Sequence, residues 1–152
     1  MTPNITDYTL FLRNVAGINT TVLPDNSAVI EWSFNYAMNV VSDFFAVIPQ
    51  TPDQFLYGVA VYNLATDTLL NYAQDQPGQT FFAQVRQKYQ LNVLIPGVVT
   101  EARDEDTSTG IINPKFMQGL TMGNLQNLKT PFGRQYLALA QDLGSLSLMG
   151  IA

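Results

Sequence analysis

The sequence predicts a mainly α fold: a small bundle of four to five helices with a long loop or small β excursion near residues 91–128. Three observations predict it. Apolar residues recur at i, i+3, i+4 and i+7 in several segments. Capping residues, acids and Pro stand where those segments begin. Pro and Gly punctuate the stretches between them. A length of 152 residues suits one domain, 1–152.

ITDYTLFLRNVA, residues 5–16, predicts the first helix. Thr6 stands as its N-cap, Asp7 in its first turn, and Tyr8, Phe11, Leu12 and Val15 as one apolar stripe. Gly17 supplies a stop. The second helix starts from Asp25 or Asn26 and puts Val29, Ile30, Phe34, Ala37, Met38 and Val41 on one face. Trp32 and Tyr36 form a second flank, so this helix is expected to be contacted on two sides. Thr51, Pro52 and Asp53 start the longest helix, which is apolar almost all round from Phe55 to Leu64 and therefore central. Residues 79–90, capped by Thr80, give one more amphipathic helix. The stretch 91–113 reads as an extended loop with a β-prone start, and 111–129 as irregular with short strand or helix pieces. Thr130 then caps the last helix with Pro131 at its first position, and Tyr136, Leu137, Ala140 and Leu143 form its core stripe.

Hydrophobic residues make up 47%, enough for a core, but charged residues only 12%, about half the usual ~25%. A surface so poor in charge is weakly protected against association, which suggests that partners cover much of it. The net charge is −5 and the seven cations are scattered, so no surface for gripping nucleic acid is expected. There is neither Cys nor His. Disulfides, Cys-based zinc sites and Ser-His-Asp or Cys-His machinery are thereby excluded. The N-terminal residues show no signal-peptide pattern, and no apolar run approaches the ~20 residues of a membrane span.

Candidate chemistry is sparse. Glu101, Asp104, Glu105 and Asp106 invite a divalent-cation reading, but they fail the EF-hand pattern and Arg103 sits among them; a solvated loop is the plainer account. Asp7, Asp25 and Asp53 fall at helix starts, where the dipole explains them. Asp67 lies inside an apolar helix between Thr66 and Thr68, and an exposed polar stripe is the plain account of it. No cofactor and no catalytic or metal-binding constellation is expected; an interaction or structural role is.

Three stretches carry a family likeness: LPDNSAVIEWSFNYA after the first helix, LYGVAVYNLATDTLLNYA in the central helix, and LKTPFGRQYLALAQDLG at the last. In this order they resemble the head-to-tail connector proteins of tailed bacteriophages, also called neck adaptors or head-completion proteins. The third stretch is the most specific, through Thr130, Phe132, Gly133, Tyr136 and Leu137. The chain departs from the family in lacking a His in the central helix and in a longer 85–113 segment.

The resemblance implies a small helical subunit that catalyses nothing. It implies a homo-oligomeric ring, commonly twelvefold, in the virion neck, assembled in the host cytoplasm. Its partners would be the portal protein and the tail or next neck protein. DNA would pass through without specific binding, and no membrane is involved. Heterologous ring contacts consume surface, in keeping with few charges. On this reading Glu101, Asp104, Glu105 and Asp106 line the channel or its rim and repel the passing duplex.

Residues 144–152, GSLSLMGIA, carry no charge. On the same reading they form a docking tail that buries Leu146, Leu148, Met149 and Ile151 on the portal or a neighbouring ring. The spacing of Leu146 and Leu148 suits strand addition to a partner's edge; the plain alternative is a tail folded back on its own bundle. A cellular helical adaptor that binds a protein through one groove is the runner-up function, and a small-ligand-binding bundle the third.

Overall fold

Local side-chain chemistry sets where several of the helices begin. The computed structural model describes residues 2–41, 55–93, 101–104, 107–110 and 121–143. Helix α1 spans Ile5–Asn14. Its cap is Asn4, not Thr6: the Asn4 side-chain oxygen accepts from the Asp7 N–H at 2.9 Å, while its amide nitrogen donates to the Asp7 carboxylate at 2.8 Å. That reciprocal pair satisfies an orphan backbone donor which Thr6, already inside the helix, does not reach. Gly17 stops the helix as expected. Its φ of +69° lets the Ile18 N–H return to the Leu12 carbonyl at 3.0 Å. Since the helix has ended by Val15, that residue leaves the stripe and is exposed, whereas Tyr8 and Leu12 are fully buried.

Helix α2 spans Ala28–Val40, with Ser27 at its N-cap. Asp25 does not cap it, because Arg13 takes its carboxylate in an ion pair. The same guanidinium donates to the Ile18 and Leu23 carbonyls, the latter at 2.7 Å, which pins the α1–α2 connection. Ile30, Phe34, Ala37 and Val41 are buried along the expected face.

Helix α3, Phe55–Tyr72, is the central element. Ala60, Val61, Leu64, Ala65, Leu69 and Leu70 are all buried, and α2 and α6 pack on it from two sides. Tyr62 stacks with Tyr8 at 5.8 Å between ring centroids, and Tyr8 with Phe34 at 5.7 Å, so three helices meet in one aromatic cluster. Thr51, Pro52 and Asp53 lie outside the described residues.

Helix α4 spans Phe81–Lys88. The Thr80 side chain does not cap it. Asp75 does, its two oxygens accepting from the N–H groups of Phe82 at 2.7 Å and Ala83 at 2.9 Å. A carboxylate against those donors also answers the helix dipole.

An antiparallel hairpin, β1 (Glu101–Asp104) with β2 (Thr107–Gly110), falls within 91–128 but in the part that the sequence reads as a solvated loop; most of the β-prone start, residues 94–99, lies outside the described residues. The hairpin register pairs Glu101 with Gly110 and Asp104 with Thr107. A further short helix, α5 (Met122–Asn127), follows from Thr121, whose hydroxyl accepts from the Asn124 N–H at 3.3 Å. Helix α6 spans Pro131–Leu143, started by Thr130 and Pro131 as expected. The architecture is a small, mainly helical bundle. No helix among the described residues is long and apolar enough to cross a membrane.

Candidate functional site

The residues that carried the family likeness at the last helix form one built unit at the start of α6. The Thr130 hydroxyl accepts from the Gly133 N–H at 2.9 Å and donates to Asp67 Oδ1. Asn127 turns its amide nitrogen toward Asp67 Oδ2, 3.1 Å away, and the Gly123 carbonyl, 3.3 Å away, the orientation in which donors meet acceptors. Asp67 is therefore not on an exposed polar stripe. It is 2% exposed, and its neighbours Thr66 and Thr68 are buried with it. Burial raises its carboxyl to about 7, against the lowering effect of the Thr130 hydrogen bond.

Gly133 is there for space. A Cβ on it would lie 2.0 Å from the Asn127 carbonyl oxygen, a backbone atom that cannot swing away. The α5–α6 corner closes only because this residue has no side chain. Phe132 meets Phe11 edge-on at 6.3 Å, and Leu137 is buried in the core. Tyr136 is half-buried; burial, then the neighbouring Tyr36, push its hydroxyl pKa upward.

Beside this unit lies a cleft of about 900 Å³ between α2, α3, α5 and α6. One wall is the second flank of α2: Trp32 is 49% exposed, Tyr36 45% and Val40 46%, spaced i, i+4, i+8. The Trp32 ring stacks on Tyr36 at 5.9 Å and meets Tyr72 edge-on at 5.4 Å. This flank was readable in the sequence; it lines the cleft, with Trp32 against Tyr72 of α3 and Tyr36 beside Tyr136 of α6. Carboxamides line the floor. Gln126 donates to the Asn71 side chain at 2.9 Å, and Asn71 to the Asp67 carbonyl at 2.8 Å. Among the described residues the lining has no Lys, Arg or Glu, and Asp67 is its one acid.

Such a surface is suited to holding a neutral, partly apolar partner. It is poorly suited to general acid–base work, because both oxygens of its one acid are engaged by Thr130 and Asn127. Among the described residues no cluster of three Asp, Glu, His or Cys could hold a metal ion.

The other expected site residues are outside what the described part of the cleft shows. Glu101 and Asp104 end one strand of the hairpin, while Glu105 and Asp106 lie outside the described residues, as do Leu146, Leu148, Met149 and Ile151. Sequence reasoning did not assign Tyr72, Asn71, Gln126 and Asn127 to a site. Amides and a single Tyr at helix ends carry no spacing signal that separates a cleft floor from ordinary surface. Comparison of the chain with models of known families, with curated proteins and with solved structures found no match.

Proposed function

We propose that this chain is a structural subunit of the tailed-bacteriophage neck, one copy in a ring that joins the portal vertex to the tail and lets DNA pass. Assembly, not catalysis, is its work. The observation that carries the assembly reading is the half-exposed stripe Trp32–Tyr36–Val40 beside a cleft lined, among the described residues, without Lys, Arg or Glu. A monomer has little reason to leave two stacked aromatics at such a surface, and aromatics are enriched where proteins meet. The phage-neck part rests on the resemblance, whose most specific residues, Thr130 and Gly133, are those that set the α5–α6 corner against Asp67. In this reading the hairpin segment 101–110 is the candidate channel or rim element, and segment 144–152 supplies a contact between subunits or rings.

The test is mass in solution by light scattering, first alone and then with portal-bearing heads assembled without this protein. A ring-sized mass, or ring-stoichiometric capture by heads, is expected. A monomer that ignores heads under both conditions overturns the reading. In that case the cleft favours the second reading, an adaptor that binds a peptide segment of another protein in its groove.

A further inference from the structure

We propose that the uncharged segment 144–152 of one copy lies in the α2–α3–α6 cleft of a second copy of this chain. The inference rests on the assembly reading above and names the partner surface for it.

Charge is the first argument. Each copy carries −5, so two copies repel wherever their acids face one another. Among the described residues the cleft lining avoids this, since it has no Glu and its one acid is buried behind two hydrogen bonds. Segment 144–152 has no ionisable side chain. Shape is the second. Trp32, Tyr36 and Val40 form a line about 12 Å long, from eight residues of helical rise. At ~3.3 Å per residue that line accommodates about four residues of extended chain. Leu146 and Leu148, two apart, would then face the aromatic wall together. The floor supplies carboxamides, which both donate and accept, as an extended main chain requires.

Topology favours a second copy over the chain's own segment. Gln126 meets Asn71, Thr130 meets Asp67, and Phe132 meets Phe11, which packs on Tyr62. Helix α6 therefore descends α3 antiparallel and delivers Leu143 to the end away from Tyr72 and Trp32. Its own segment would have to reverse direction to enter the cleft; a neighbour's need not. A segment-into-cleft contact is heterologous, so every copy both gives and receives, and the series forms a ring where the rotation between copies closes.

The only tryptophan of the chain, Trp32, stands in the cleft wall and reports occupancy by its emission. Two variants are made: a chain ending at Leu143, with the cleft intact, and a full-length Trp32→Ala/Tyr36→Ala chain, with segment 144–152 intact and no tryptophan. Each alone is expected to be monomeric with a helical melt like the wild type. Mixed, they are expected to form a one-to-one complex by light scattering, with the emission of the shortened chain shifted to the blue. A mixture that stays monomeric with unshifted emission overturns the proposal. So does wild-type emission that is blue-shifted at every concentration and lost on shortening, which places the segment in its own cleft. If the shortened chain fails to fold, full-length Leu146→Asp/Leu148→Asp replaces it, with the same outcomes. Rings or head capture by the wild type alongside an inert mixture would sink this contact and leave the neck reading intact. A one-to-one complex without head capture would do the reverse.

Discussion

Asp67 and Thr130 lie 63 residues apart in the chain and share a buried hydrogen bond. It joins the C-terminal half of the central helix to the residue that caps the last, and the same hydroxyl holds the Gly133 N–H.

The carboxyl of Asp67 makes folding sensitive to pH. Burial raises it from 3.8 to about 7, so the folded chain holds this proton more tightly than the unfolded one. Its contribution is fully present below the unfolded value, is lost as pH rises toward 7, and is level above that. Three units correspond to a loss on the order of 4 kcal/mol. Urea midpoints measured across this range should fall toward neutrality for the wild type relative to Asp67→Asn. Parallel curves for the two proteins would refute the burial account.

Thr130→Val keeps the shape and removes the hydroxyl. Asp67 and the Gly133 N–H each lose a partner, at a cost of about 1–3 kcal/mol. Loss of a hydrogen bond that lowers the Asp67 pKa should also move its titration further upward. Both effects are read from denaturation at several pH values.

Gly133→Ala places a methyl against the Asn127 backbone. The corner must open, which costs roughly 1–3 kcal/mol or more and should draw Asn127 away from Asp67. Ala substitutions on the exposed face of α6, for example Gln135→Ala, should leave the melting temperature nearly unchanged.

Arg13→Lys keeps the charge but loses the fork that reaches two carbonyls and Asp25 together. The ion pair itself counts for little, because Asp25 is 63% exposed. The two carbonyl bonds decide the effect, about 1–2 kcal/mol. Faster amide exchange should appear at Ile18, Val22 and Leu23 while the centre of α3 stays protected.

Much of this fold was legible because apolar spacing reports burial directly. Tyr8, Leu12, Ile30, Phe34 and Ala37 follow from it. Caps were less legible. Asn4, Ser27 and Asp75 stand where neighbours of similar chemistry compete, and the three-dimensional path decided: Asp75 reaches α4 only because the turn after α3 folds back. The hairpin lacked an apolar alternation, so Glu101–Gly110 looked like a solvated loop. At the candidate site, Thr130 and Gly133 were visible as a motif and Asp67 as an anomaly. Their meeting was not visible, since a contact across 63 residues leaves no local pattern.

The polar ties between the exit of α4 and the entrance of α6 have a consequence for how such a chain can change over generations. Lys129 holds the Gln90 and Val93 carbonyls, and Gln126 the Leu91 carbonyl. The described segments 55–93 and 121–143 are thus tied to one another at the same few atoms. Closing a longer excursion between fixed ends costs only about 0.6 kcal/mol for each doubling of its length. The length of chain between these tied ends can therefore change over generations at small thermodynamic penalty. A lineage could retune what the bundle touches there without disturbing how it folds.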